Sequence, residues 1–279
     1  MPLVTAKKML DDANAGGYAI PAIDAVDYAS AEAIVSAAES LSKSIIVMVP
    51  ESLFHMIKPA VFYPFLIDLA RRSSVTVAIQ LDHGKTLEGI MTTIHYGFSS
   101  VMIDASSLPY NENVAITKKM TELSHAAGVS IEAEIGHVTG HEGNTDGAVA
   151  DESSLTVPSQ AQSFVEETGV DALAVSIGNV HGLYKGTPNL DFERLREIKK
   201  LVSVPLVLHG SSGLSDDDLK NAIKGGINKI NIFTEVSTAA AEAAIEYSRG
   251  ERIVHFARMI DAGAKRVSVM VAKYLEMFG

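Results

Sequence analysis

The chain has 279 residues, 47% of them hydrophobic and 20% charged, with a formal net charge of −11 and no cysteine. This is a globular composition with ample material for a core; it excludes disulfides, thiolate metal ligands and a cysteine nucleophile, and the acidic balance without a Lys/Arg stripe argues against a nucleic-acid partner. No segment approaches the roughly 20 apolar residues of a membrane span, and the start MPLVTAKKMLDDANAGG lacks an apolar stretch of secretion-signal length, so a cytoplasmic protein without a membrane partner is expected.

Along the chain two periodicities alternate. Strand-like runs fall at residues 18–24, 44–50, 75–83, 99–105, 129–136, 171–178, 205–210 and 229–235. Each is apolar nearly throughout, as expected of parallel strands covered by helices. Between them lie helix-length stretches with apolar residues three and four apart, for example 28–42, 86–96, 112–127, 159–168, 192–202, 216–224 and 237–247. Ser215 ahead of Asp216-Asp217-Asp218 is a helix start, and Gly128, Gly169 and Gly225 are helix stops.

Strand–helix units in series without a linker predict one (β/α)8 TIM barrel, taking residues 1–279 as a single domain, with an additional C-terminal helix within 251–279. A doubly wound open sheet competes, but it needs a topological reversal and has no required count of eight. The longest irregular stretch, 137–158, follows the fifth strand and would rise from the C-terminal face as a functional loop.

Active sites of barrels lie at the C-terminal ends of the strands. The polar residues there are Asp24, Asp82, His83, Asp104, Glu132, Glu134, His181, His209, Ser211, Ser212, Asn231 and Thr234. Three of the nine histidines end an apolar run and precede glycine: VAIQLDHG, LAVSIGNVHG and PLVLHG. Placed after strands three, six and seven, His83, His181 and His209 could meet around one divalent metal. Three protein ligands with a vacant position is the catalytic form of a zinc site. The other histidines, His55, His95, His125, His137, His141 and His255, lie on expected helices or loops and read as structural or surface residues. HGSSG (209–213) and NIFTEV (231–236) lie where barrels commonly build phosphate sites, after strands seven and eight. Glycine there permits close approach, and a helix N-terminus favours an anion.

The order LDHG, VMIDAS, IEAEIG, GNVHGLYKG, LDFERLREI, VPLVLHGSSG and KINIFTE resembles the class II, metal-dependent ketose-bisphosphate aldolases, which include fructose- and tagatose-bisphosphate aldolases. The resemblance runs from about Gly17 to the final LEMFG. It implies a lyase releasing dihydroxyacetone phosphate and an aldehyde from a phosphorylated sugar. His83, His181 and His209 would hold Zn²⁺, with Asp104 and Glu134 at a second metal position. Asp82 would be the acid/base at the aldehyde oxygen, and Glu142 would abstract the carbon-bound proton. Gly182, Gly210, Ser211, Ser212, Asn231, Ile232, Phe233 and Thr234 would contact the substrate, with Lys185 as an electrostatic contributor. Carbonyls near Gly182 and Gly210 would hold a monovalent cation, Na⁺ or K⁺. The resemblance also implies a homodimer or homotetramer, with Arg258 reaching an acceptor phosphate from a neighbouring subunit.

The chemistry suits these residue types. Deprotonation next to a carbonyl gives an enediolate whose charge a Lewis acid can take, and a carboxylate in a partly dry site can have its pKa raised toward neutrality. No lysine is needed for a Schiff base, so Lys229, like Lys185, reads as an electrostatic or solvated residue. The chain departs from the family pattern at Asp24 (usually Asn), Pro50 (usually Ser or Thr) and Phe233 (usually acidic, or Ala). These lie on the acceptor side, which predicts an acceptor aldehyde other than glyceraldehyde 3-phosphate alone. Other readings are an aldolase for a sugar-acid or a singly phosphorylated ketose, a non-catalytic aldolase partner subunit, and a metal-dependent barrel hydrolase.

Overall fold

The computed structural model describes residues 2–140 and 146–279. Eight parallel strands close into a barrel: β1 (Ile20–Asp24), β2 (Ile45–Pro50), β3 (Val77–Gly84), β4 (Ser100–Ile103), β5 (Ser130–Ile135), β7 (Ala172–Val175), β9 (Leu206–Leu208) and β10 (Ile227–Ile232), with β1 paired to β10 at the closure. Among the described residues, two further strands, β6 (Thr139–Gly140) and β8 (Val180–His181), pair with each other. The expected runs are right in place and order, most being overlong by one to three residues at an end; the seventh stops at Leu208, short of His209, β3 runs one residue past its expected end, to Gly84, and β10 begins two residues early, at Ile227.

Alternation along each strand sorts the core into two layers, because successive side chains point to opposite faces. Ile23, Val47, Ile79, Val101, Ile131, Leu173, Leu208 and Ile232 belong to the large cluster between strands and helices. The opposite parity faces the barrel axis. Ile20, Ala22, Ile46, Met48, Ala78, Ala172, Ala174 and Val207 form a smaller cluster there. The same inward rows continue toward the C-terminal ends as Asp82 beyond Ala78 and Gln80, Glu132 and Glu134 opposite Ala172 and Ala174, and Asn231 opposite Ala22. The barrel is therefore apolar at one end and ionic at the other.

The intervening helices are α2 (Tyr28–Ser40), α3 (Pro59–Arg72), α4 (Leu87–His95), α5 (Tyr110–Ala126), α6 (Pro158–Thr168), α7 (Phe192–Leu201), α8 (Asp216–Gly225) and α9 (Thr234–Gly250). The extra C-terminal helix is α10 (Phe256–Phe278), packed on α9 and α2. Two helices fall outside the stretches named from periodicity. In α3 an internal Pro64 masks the pattern, although Phe62, Tyr63, Leu66, Ile67 and Ala70 are all buried. The N-terminal helix α1 (Ala6–Gly16) carries Ala6, Met9, Leu10 and Ala13 at helical spacing and inserts them into the inner apolar cluster, closing the N-terminal end of the barrel. Gly17 ends it in the left-handed conformation, φ 68°. Among the described residues, no helix is long and apolar enough to cross a membrane.

Candidate active site

The LDHG turn ends β3 irregularly. The β3–β4 register shifts between Leu81 and Gly84, and His83 takes a positive φ of 43°. A bulge re-aims the side chains beside it, and a non-glycine residue held there stores about 1–3 kcal/mol of strain, a pattern that concentrates at functional sites. Asp82 is fully buried; its Oδ1 accepts a hydrogen bond from Asn231 Nδ2 at 3.0 Å. Its Oδ2 has no hydrogen-bond partner among the described residues and lies 3.9 Å from His83 Nε2.

His181 follows the sixth barrel strand, as expected, but sits in a further short ladder. The sixth barrel strand stops at Val175, and His181 lies beyond it in β8, level with Gly140 of β6 above the mouth. The turn between is set by Gly178, at φ 102°, and by Asn179, whose Oδ1 accepts from Ile177 N and whose Nδ2 donates to His209 O at 3.0 Å. A polar turn thus ties the second His-Gly site to the third.

The three imidazoles meet. Ring centroids are 4.7 Å apart for His83–His181 and for His83–His209, and 5.8 Å for His181–His209. One ligand atom from each lies within 4.8 Å of the others. Each ring engages an acceptor with its other nitrogen: His83 Nδ1 with Asp104 Oδ2 at 2.9 Å, His209 Nε2 with Glu132 Oε1 at 2.9 Å, and His181 Nδ1 with the Val138 carbonyl at 3.2 Å. Those outer nitrogens donate, so the inner ones, His83 Nε2, His209 Nδ1 and His181 Nε2, present lone pairs. Among the described residues, His181 Nε2 is buried without a partner. Outward hydrogen bonds that fix the tautomer are how proteins orient histidine ligands, and three neutral imidazole nitrogens suit zinc. The donor set fits the metal.

A second group, His83, Asp104 and Glu134, also satisfies ligand spacing. Asp104 accepts from His83 and, through Oδ1, from Ser106 Oγ at 2.7 Å. Burial opposes its ionisation, but His83 and Ser106 outweigh this and hold the carboxyl well below the usual range. Glu134 behaves oppositely: burial, reinforced by the Asp104 charge, pushes it up to about 8. Its Oε1 accepts from Val138 N at 3.0 Å, while Oε2 is buried without a partner among the described residues. Burial, together with the neighbouring rings, holds His181 well below the ordinary histidine range; burial also lowers His209.

Beside the histidines, a small cavity is lined by His181, Gly182, Gly210, Ser211, Ser212, Asn231, Phe233 and Thr234. Gly210 has φ 62°, and a Cβ there would lie 2.1 Å from the Val180 carbonyl, so only glycine fits. Ser211 Oγ donates to Asn231 O, and Ser212 Oγ accepts from Glu235 N in the first turn of α9, leaving a helix N-terminus at the cavity. Phe233 also lines a mostly apolar groove reached from Asp24 and bounded by α2, α9 and α10. Asp24 is buried, 5% exposed.

Three expected contacts are not brought to the cluster. Lys185 is exposed beside a separate cleft after β8, and Arg258 is exposed on α10. The Ile232 side chain packs in the outer core, away from the axis. Glu142 lies outside the described residues. One reading is corrected: Lys229 is not solvated but fully buried, with Nζ 2.8 Å from Glu132 Oε2. Glu132 stood among the strand-end residues without a role, and inward parity with Ala172 was the signal available for it. Nothing local in the sequence marked the Val138 carbonyl, Asn179, or His137, which contacts Ser106 Oγ at 3.0 Å.

Residues 4–279 match the family described as fructose-bisphosphate aldolase class-II. A probable fructose-bisphosphate aldolase of Bacillus subtilis is 42% identical over 249 residues, 88% of this chain and 86% of the relative. A fructose-bisphosphate aldolase of Staphylococcus aureus is 41% identical over 261 residues, 91% and 89% of the two. Among solved structures, the YdjI aldolase of Escherichia coli K12 superposes with a TM-score of 0.88 at 33% identity, covering 99% of this chain and 97% of that one. A putative fructose-1,6-bisphosphate aldolase from Coccidioides immitis gives the same TM-score at 28% identity, covering 98% and 95%.

Proposed function

The chain belongs to the class II fructose-bisphosphate aldolase family, and from that premise we propose the roles its residues take in cleaving a ketose 1-phosphate or 1,6-bisphosphate to dihydroxyacetone phosphate and an aldehyde. The family is zinc-dependent, and His83, His181 and His209 would hold the ion, which when bound supplies a Lewis acid for the donor carbonyl. The observation that carries this reading is the convergence of three inner nitrogens whose outer partners are already engaged.

The donor phosphate would lie in the cavity of Gly182, Gly210, Ser211, Ser212, Asn231 and Thr234, at the N-terminus of α9. Asp82 Oδ2, held beside His83 by the Asn231 amide, would exchange a proton with the acceptor aldehyde oxygen. Glu142 is assigned the carbon-bound proton on the family resemblance. Asp104 and Glu134 would form a second metal position, and the carbonyls at Gly182 and Gly210 a site for Na⁺ or K⁺. Arg258, exposed on α10, would serve a neighbouring subunit's site in a homodimer or homotetramer.

On the acceptor side, Asp24 and Phe233 favour a substrate whose far end carries no phosphate. A buried carboxylate repels an anion in a poorly screened site, and the phenyl ring borders an apolar groove. The test is release of dihydroxyacetone phosphate from a panel of ketose 1-phosphates and fructose 1,6-bisphosphate, with zinc-loaded and chelated protein. Full activity after exhaustive chelation, or in His83→Ala, overturns the reading. A preference of many orders for the bisphosphate overturns only the acceptor refinement.

A further inference from the structure

The barrel interior carries a buried ion pair that the reaction does not use directly. Lys229, 0% exposed, donates from Nζ to Glu132 Oε2 at 2.8 Å, and Glu132 is 1% exposed. Gln80 Nε2 donates to the same oxygen at 3.0 Å, its amide fixed by Ser100 Oγ donating to Gln80 Oε1 at 3.2 Å. With Oε2 doubly occupied, Oε1 is left for His209 Nε2 at 2.9 Å. Exchanging a buried ion pair for apolar residues is often neutral or stabilising, so such a pair is weak evidence for a purely structural role. The neighbouring inward positions on β7 and β9, Ala172, Ala174 and Val207, show that this interior accepts apolar side chains.

We propose that Glu132 is a positioning residue for the metal centre: it selects the His209 tautomer that turns Nδ1 to the metal, and Lys229 holds Glu132 to that task as its buried counter-charge. For a neutral His209 the hydrogen-bond partners select one tautomer. An ionised carboxylate only accepts, and both donors to Oε2 favour ionised Glu132. His209 Nε2 must then carry the hydrogen, and Nδ1 keeps its lone pair toward His83 Nε2, 2.9 Å away. Among the described residues, His181 Nδ1 is backed by a neutral carbonyl. The three ligands are thereby graded: His83 is backed by a carboxylate, His209 by a carboxylate with its own cation, and His181 by a peptide.

This inference rests on reading the three histidines as the zinc site. Its test measures zinc affinity by chelator competition and histidine ring ¹⁵N shifts in the zinc-loaded protein. Glu132→Leu/Lys229→Met removes the acceptor and both charges; its affinity should fall about 10–100-fold, the range for partners behind metal ligands. Glu132→Gln/Lys229→Met restores a neutral acceptor and should recover part of that loss. Equal affinity in the two double variants, or wild-type affinity in both, overturns the proposal. Wild type needs no substitution: its ¹⁵N shifts should show His209 protonated at Nε2 and metal-bound at Nδ1, and the reverse overturns the assignment even if a variant fails to fold. Wild type that binds no zinc removes the centre and this role together, whereas tight zinc with the reversed tautomer removes this role alone.

Discussion

His83 Nε2 and His209 Nδ1 face each other at 2.9 Å, although each ring has engaged its other nitrogen with a carboxylate, Asp104 or Glu132. When both imidazoles are neutral, this arrangement points lone pair at lone pair, which favours a cation between them. Zinc added to metal-free protein should therefore bind near one per chain and raise the unfolding temperature. At a free concentration 100 times Kd the gain is about 2.7 kcal/mol. Calorimetric scans with and without a chelator check this; coincident scans would contradict it.

Glu134 gives a pH signature in metal-free protein. The unfolded carboxyl titrates near 4.3, whereas in the folded protein it is raised to about 8. Between those values the folded state holds a proton that the unfolded state lacks, so this group's contribution to stability falls as pH rises. Glu134→Gln carries no such proton. Its stability relative to wild type should increase from pH 5.5 to pH 7.5, by at most about 1.4 kcal/mol per pH unit. Urea unfolding at both pH values decides, and a pH-independent difference would refute the assignment.

Asp24 lies buried beside a groove that shares Phe233 with the small cavity next to the histidines. Asp24→Asn should raise kcat/KM for fructose 1,6-bisphosphate about tenfold, corresponding to about 1.4 kcal/mol. Turnover of singly phosphorylated ketoses should change little. Parallel kinetics on both substrate types test this, and an equal change in both would remove Asp24 from discrimination.

Gly210→Ala would place a methyl 2.1 Å from the Val180 carbonyl at a φ of 62°. Strain of that kind costs about 1–3 kcal/mol before the clash is counted. Stability should fall by more than about 2 kcal/mol, and zinc affinity with it, because His209 and His181 flank the contact. A variant with normal urea unfolding would show that the turn relaxes freely.

Leu10, 1% exposed in α1, fills the apolar end of the barrel. Leu10→Ala should cost about 2–5 kcal/mol while leaving zinc affinity intact, since the metal-capable residues lie at the opposite end. Loss of zinc binding by folded variant would contradict that separation.

The strand–helix alternation was legible because each element carries its own short-range signal. Apolar runs mark the strands, three-and-four spacing marks the helices, and Ser215 caps α8 with the reciprocal bonds its sequence suggests. Where a local signal was masked, the element was lost: Pro64 hid α3, and α1 was not among the expected helices although four of its residues enter the core. The site was legible as residue types at strand ends. His83, His209, Asp82 and Asn231 converge there, but His181 required a second, two-stranded ladder that no local pattern announces.

By itself the sequence determined the barrel, the three histidines and the glycines at the ends of the strands. These depend on neighbours a few residues away. Only the tertiary structure decided which nitrogen of each ring faces inward, that Lys229 is buried against Glu132, and that Ile232 points away from the site. Those outcomes join residues far apart, 126 positions for His83 and His209 and 97 for Glu132 and Lys229. Such pairs form when the barrel closes, and their hydrogen bonds then fix the tautomers, since a buried donor or acceptor left unpaired costs more than the pairing itself yields.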